Sequence, residues 1–502
     1  MKKDMITVGL DIGTTKVVVI VGEKHANGTL RILGLGQSPS TGVDKGAIQN
    51  ISKTTDAIRA AVTMAEQSSG YKINRVTVGI AGQYIRSTRQ TEYITRSAVN
   101  DVIRQEDLDA LTAKAAALPI SENETILHIL PQEYRVDNQS GILEPIGMAG
   151  RRLEATFHIV IGQIAPLQNI KRCVEGAGLK LAGVCLQPMA SADAVLSADE
   201  KEAGVVMVDI GGGTTDLVIM KNSLVRHSAV LPLGGNAITE DIIEACSILK
   251  RNAELLKREY GSTWPGENSD TDVVSIPVMQ GYPSKEISLK DLSKVVYARM
   301  DEILDSINNE INNYHQIEPG RQLIGGVVLT GGGALLRHLQ PFAHYKTGMN
   351  SRIGLPNVYV EASEGFDIDT PMYSTCIGLL LSAPDGQYVE SPSYIDEEEE
   401  VEAPVYNTAD DTTYDGDDDE IYEDEYEDEV EEIETEEEEE DVPTQTSVAK
   451  TISTPSAPKV RKTPSEHLSF MKTLKEKTEK KIEDVSTRTN KAILDFLQKL
   501  GD

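Results

Sequence analysis

The chain has 502 residues and a formal net charge of -32, a length that exceeds one compact domain. The acidity is local: residues 396–441 hold 28 Asp or Glu and no Lys or Arg, the first 384 residues carry 36 basic against 43 acidic side chains, and residues 442–502 carry 12 against 7. The main body therefore lacks the basic field that nucleic-acid binding requires, and no nucleic acid partner is expected.

No apolar run approaches the roughly 18 residues of a membrane span, and the first apolar stretch is broken by Asp11 and Lys16, unlike a secretory signal. A cytoplasmic chain is expected. Cys173, Cys185, Cys246 and Cys376 show no CxxC pairing and no clustered His. They read as buried small hydrophobes rather than as a zinc site or a disulfide framework.

In chain order, β-type runs at 6–10, 16–23, 76–80, 157–161, 205–210, 217–220 and 326–329 alternate with helical periodicity at 52–67, 167–176, 237–249 and 289–313. This is an α/β body ending near residue 384. Residues 385–465, first Asp/Glu-rich and then Pro/Ser/Thr-rich, have no apolar periodicity and are expected to be a disordered linker. Residues 466–502 recover a helical pattern.

One internal echo stands out. Asp11-Ile12-Gly13-Thr14-Thr15-Lys16 recurs as Asp209-Ile210-Gly211-Gly212-Gly213-Thr214-Thr215-Asp216, each time after a short apolar strand and before a β-branched run. Because a strand follows, each turn belongs to a hairpin; a P-loop would need a helix there. Such a turn gathers backbone N–H groups into an anion-binding concavity. The preceding Asp would stand beside the phosphate, suited to hydrated Mg²⁺. Two facing turns would clamp a polyphosphate; either copy alone reads more readily as a plain hairpin turn, and it is the recurrence between strands that favours phosphate. A third cluster, Gly331-Gly332-Gly333 followed by Leu335, lies after a strand and is expected to open a helix whose N-terminus favours negative charge. His128 and His158, flanked by apolar residues, read as satisfied structural histidines.

These three motifs, in this order, resemble the phosphate-1, phosphate-2 and adenosine elements of the ATPase superfamily of actin, the heat-shock chaperones and the sugar kinases. The small-residue segments at 186–192 and 371–379 resemble its two connecting helices, with Ala and Gly letting them cross closely under the cleft. Residues 128–137 and 145–154 resemble the FtsA family of bacterial cell-division proteins. That resemblance implies an actin-like ATPase fold: two related halves around a nucleotide cleft, with subdomain 1A at 1–82, 163–200 and 366–384, an inserted αβ subdomain 1C at 83–162, 2A at 201–230 and 325–365, and 2B at 231–324.

It further implies ATP and Mg²⁺ as cofactors, with Asp11 and Asp209 on the metal side. Gly13, Thr14, Thr15, Lys16, Gly211, Gly212, Gly213, Thr214 and Thr215 would meet the phosphates. Glu254 and Lys257 would meet the ribose or purine, and Gly331, Gly332, Gly333 and Leu335 the adenosine. Gln187 stands where many relatives carry an acid, and a neutral amide orients water without accepting its proton, so slow hydrolysis is expected. Filament formation is implied too. So is tethering of the tubulin-like protein FtsZ, through 2B, to the cytoplasmic face of the cell membrane at the division septum, with 1C contacting later division proteins.

The C-terminal pattern is a separate physical clue. Leu468, Met471, Leu474, Ile493, Phe496 and Leu500 fall on one helical stripe with Lys elsewhere around the wheel. A basic amphipathic helix suits an anionic membrane surface, and less readily a partner helix or a coiled coil. Candidate inserting residues are Phe470, Met471 and Leu474, and Ile493, Phe496, Leu497 and Leu500. A soluble kinase on the same fold is the competing reading, but it has no use for an acidic linker leading to such a helix.

Overall fold

Two five-stranded sheets share one plan. The first has the order Lys180–Leu186, Arg75–Ile80, Met5–Ile12, Lys16–Lys24, Leu30–Pro39; the second has Leu224–Leu231, Thr215–Lys221, Val205–Ile210, Gly326–Thr330, Ser351–Ile353. In each, a three-stranded antiparallel meander adjoins two parallel strands, the parallel ones added beside the meander's first strand. The computed structural model describes residues 5–82, 84–96, 102–277, 283–318, 320, 322–361, 365–384 and 389–390, all within one compact unit.

The strands are apolar on both faces, as expected of sheets covered on both sides. Alternate residues serve different cores. Val17, Val19 and Val21 pack outward under the helices Ile51–Ser69 and Ile164–Gly176, while Val18 and Ile20 turn inward. In the second sheet Val206, Val208 and Ile210 pack outward, and Val205 and Met207 turn inward to the same core as Val18 and Ile20. Helices Gln187–Val195 and Ser374–Leu381 complete this shared core with Ala192, Val195, Ile377 and Leu380. They cross as closely as their small residues foreshadow: a methyl group built on Gly378 would lie 1.8 Å from the Ala190 carbonyl oxygen.

Helix Leu289–Ile317 underlies the second sheet. Ser288 accepts from the Asp291 N–H at its N-cap, and Leu292, Val296, Met300, Ile303, Ile307, Ile311 and Tyr314 recur every three or four residues on its buried face. The periodicity at 237–249 breaks earlier than expected: the helix is Gly235–Cys246, and left-handed Ser247 (φ 44°) stops it before Lys250–Tyr260 begins.

Between Ile80 and Ile164 the chain builds a separate antiparallel sheet, ordered Gln139–Ile142, Glu124–Val136, Arg152–Gln163, Ile85–Thr95. Helix Gln105–Ala116 covers one face, setting Leu108, Leu111 and Ala115 against Tyr134, Leu153 and Phe157. This module leaves the first half yet bonds to the second. Ser87 Oγ donates to the Ser228 carbonyl at 3.2 Å, His158 Nε2 pairs with Ser228 Oγ at 3.0 Å, Gln132 Nε2 donates to the Val225 carbonyl at 2.6 Å, and Arg89 Nη1 donates to Glu318 Oε1 at 3.0 Å. His158 is thus satisfied, as expected, but His128 is not: its buried Nε2 has no partner among the described residues.

The body also reaches past residue 384, since Val389–Glu390 pairs antiparallel with Lys72–Ile73. The rest of the acidic linker and the candidate inserting residues Phe470, Met471, Leu474, Ile493, Phe496, Leu497 and Leu500 lie outside the described residues. Among the described residues no helix is long and apolar enough to cross a membrane. The four cysteines are free and buried.

Candidate functional site

The two echoed turns close equivalent hairpins. Gly13 N–H donates to the Lys16 carbonyl at 3.0 Å and Gly211 N–H to the Thr214 carbonyl at 2.9 Å. The strand pairs end at Ile12 opposite Val17 and at Ile210 opposite Thr215. The turns meet across a cavity of about 500 Å³. A methyl group built on Gly212 would lie 2.5 Å from Thr15 Cγ2, and one on Gly213 would lie 2.5 Å from Thr14 Oγ1. Glycine is required here by the opposing turn, not by its own backbone angles, which stay out of the left-handed region.

Asp11, Gly13, Thr14, Thr15, Lys16, Gln187, Asp209, Gly211, Gly212, Gly213, Thr214, Glu254, Lys257, Gly331, Gly332, Gly333 and Leu335 all line this cavity. Residues from five separate stretches of chain thus converge. Thr215 stands apart: it is wholly buried, and its hydroxyl donates to the Leu233 carbonyl at 2.8 Å, so its side chain braces the turn. The glycines at 331–333 do not open an α-helix as expected. They run into a short 3-10 turn, Gly332–Leu335, and helix Leu339–Thr347 starts only after left-handed His338 (φ 63°). Its N-terminus is therefore displaced from the cavity. The close approach remains, since a methyl group on Gly331 would lie 2.2 Å from Asp209 Oδ1.

Buried carboxylates dominate the electrostatics. Burial pushes Asp11 up to about 7, with Lys16 opposing and Asp209 adding to the rise. Gln187 Nε2 donates to Asp11 Oδ1 at 2.9 Å, so the amide is tied to the acid. Asp209 is also raised by burial, against hydrogen bonds to its Oδ2 from Ser191 Oγ (2.6 Å) and Thr375 Oγ1 (3.0 Å). Asp216, directly across the strand pair from Asp209, is pushed well above the usual carboxylate range by burial and by Asp209. Its Oδ2 accepts from Thr214 Oγ1 at 3.1 Å, and its Oδ1 has no partner among the described residues. Sequence reasoning passed over Asp216 as the mere end of the motif. The available signal was an acid followed directly by the apolar run Leu217–Met220, in a strand with neighbours on both sides.

Lys16 turns aside. Its Nζ donates to the Met372 carbonyl at 2.8 Å and lies 4.6 Å from the centre of the Tyr373 ring, and burial lowers its pKa against the pull of Asp11. On the far wall, Lys257 Nζ donates to the Gly235 carbonyl (2.9 Å), Thr239 Oγ1 (2.8 Å) and Glu254 Oε2 (2.7 Å). Burial raises Glu254, but Lys257 and Thr239 outweigh it and hold the carboxyl below its ordinary value. This cross-link ties helix Lys250–Tyr260 to Gly235–Cys246 and leaves both side chains at the cavity wall.

Two sheets of one plan, hinged on crossed helices, with paired glycine turns across a cavity between them, define an actin-like ATPase fold. The chain is similar in fold to a solved structure titled PilM-PilN type IV pilus biogenesis complex, with a TM-score of 0.55 and 16% identity, covering 75% of this chain and 98% of that one. The chain belongs to the FtsA family of cell division proteins: the family model Cell division protein FtsA matches residues 206–378, and SHS2 domain inserted in FTSA matches residues 82–161. It is similar to the cell division protein FtsA of Neisseria meningitidis serogroup B, 37% identical over 374 residues, 74% of this chain and 89% of that one. It is also similar to that of Bacillus subtilis, 32% identical over 383 residues, 76% of this chain and 84% of the other.

Proposed function

We propose that the cavity binds ATP with Mg²⁺, that the chain polymerises as actin does, and that it ties FtsZ to the cytoplasmic face of the cell membrane at the septum. The observation that carries the nucleotide reading is the duplicated turn: two glycine-rich hairpin turns line one cavity of about 500 Å³ and approach each other closely across it. The N–H groups of residues 14–15 and 212–214 would cradle the phosphates, those of Gly13 and Gly211 being spent on closing the turns. Glu254 and Lys257 would meet the ribose or purine, and Gly331, Gly332, Gly333 and Leu335 the adenosine.

The acids suit a cation. Buried Asp209 and Asp216 and half-buried Asp11 bring three carboxylates together, with one orphaned oxygen on Asp216, and Lys16 is already engaged. Hydrated Mg²⁺ with polyphosphate answers that imbalance, and when bound it would offset phosphate charge. Gln187, held by Asp11, would orient water without taking its proton. Hydrolysis is then slow, and ATP acts mainly as a ligand that draws the two halves together.

In this reading residues 231–324 contact FtsZ, the module at 83–162 contacts later division proteins and neighbouring subunits, and residues 466–502 hold anionic lipid with 385–465 as spacer. Two measurements test it. Calorimetric titration of the full chain with ATP and Mg²⁺ should give saturable binding, and its absence sinks the nucleotide reading. Sedimentation with anionic vesicles should separate the full chain from one ending at Pro464, and equal binding by both sinks the anchor.

A further inference from the structure

A smaller hairpin meets both phosphate turns. Val43–Asp44 and Ala47–Ile48 pair antiparallel around Lys45 and Gly46, which are left-handed at φ 45° and 74°, as a two-residue hairpin turn demands. Its tip touches three places. On the first half, Gly46 N–H donates to Thr14 Oγ1 at 3.2 Å. On the second half, a methyl group built on Gly213 would lie 2.9 Å from Lys45 Cα, and one on Gly46 would lie 3.2 Å from Thr214 Cγ2. The third contact is Gly82: a methyl group on Gly46 would lie 3.1 Å from Gly82 Cα, and one on Gly82 would lie 3.2 Å from the Gly46 carbonyl oxygen.

Gly82, itself left-handed at φ 110°, is the neck of the inserted module. Its carbonyl accepts from Ile85 N–H at 3.2 Å, where the module's edge strand begins. The module is thus attached to the first half at this neck and again where strand Arg152–Gln163 runs into helix Ile164–Gly176, and it leans on the second half through Val225 and Ser228. Any rotation of one half against the other must be taken up near the neck, at residues that absorb a backbone change.

We infer that the hairpin at 43–48 is a clasp through which closure of the nucleotide cleft fixes the orientation of the inserted module. This rests on the nucleotide reading. With the two turns together, the tip holds Thr14, Gly213, Thr214 and Gly82 at once. With the turns apart, it loses Gly213 and Thr214, and Gly82 loses its backing. ATP bridges the turns only in the first arrangement, so it shifts the population by that difference in affinity. No side chain could replace glycine at 46 and 82 without separating the two backbones.

Amide hydrogen exchange on the full chain, with and without ATP and Mg²⁺, tests this. Exchange should slow by roughly tenfold at residues 13–16 and 211–216, and by a similar factor at Gly46 and Ile85. In Gly82→Ala the turns should still slow, while Ile85 and the strand after it exchange as in the nucleotide-free wild type. Slowing at the turns with Gly46 and Ile85 unchanged in the wild type overturns the clasp while leaving nucleotide binding intact. So does an Ile85 that still responds in Gly82→Ala. No slowing at either turn overturns the nucleotide reading and the clasp with it. The wild-type comparison decides even if the alanine variant folds poorly.

Discussion

Gly213 and Thr14 approach so closely across the cavity that a single added methyl group would lie 2.5 Å from the threonine hydroxyl. Gly213→Ala should therefore force the turns apart at an overpacking cost of about 1–3 kcal/mol. ATP should bind about tenfold more weakly or worse. Titration calorimetry reads the loss, and Trp264, the chain's single tryptophan, offers a fluorescence check: the adjoining Thr263 donates its N–H to the Arg337 carbonyl, two residues from cavity-lining Leu335.

The crossing beneath the cavity is tighter still. Gly378→Ala would set a methyl group 1.8 Å from the Ala190 carbonyl oxygen, in a contact that is backbone on one side. Such a clash cannot be relieved by rotating a side chain, so stability should fall by about 3 kcal/mol or more. Urea denaturation of the variant would register an earlier midpoint.

Lys257 is cross-linked by three hydrogen bonds in a partly buried wall. Lys257→Met keeps much of the aliphatic stem and removes the charge, leaving Glu254 and the Gly235 carbonyl short of a donor. A loss of about 1–3 kcal/mol in unfolding free energy is expected, together with weaker ATP binding. A variant that weakens neither would remove Lys257 from the site.

Acid should loosen the seam between the inserted module and the second half. Burial pushes His158 down to about 3, helped by His227, Arg89 and His128, and burial alone pushes His128 down to about 4. The unfolded chain takes up these protons first, so stability is full above about 6.5 and is lost as pH falls toward the folded values. The loss is up to about 1.4 kcal/mol per pH unit for each histidine. Urea midpoints between pH 7 and 5 should fall accordingly, and His158→Gln should flatten part of that slope.

The duplicated turns, the central strands and the crossing helices were legible because each leaves a local mark. Apolar runs flank the Asp-Ile-Gly repeat, three alanines and a serine sit in residues 187–195, and Ser, Thr, Cys and a glycine fall within 374–381. What escaped reading depends on partners distant in the chain. Gly46 and Gly82 look like ordinary loop glycines until the fold lays one backbone on the other. The helix end at Ser247 and the 3-10 turn at Gly332–Leu335 follow from single backbone angles that no periodicity encodes. Asp216 sat inside a recognised motif, yet its role became visible only once its strand proved to be central and its oxygen unpartnered. Thr215, given equal weight beside Thr214, is the first residue of the strand rather than part of the turn, and its side chain is wholly buried away from the cavity that Thr214 lines.

The core shared by the two halves carries a consequence for dissecting the chain. Val18 and Ile20 from one sheet and Val205 and Met207 from the other enter the same cluster, so each sheet is covered on this face partly by the other. Either half made alone would turn that apolar face to water, and should aggregate or self-associate rather than fold as an isolated unit.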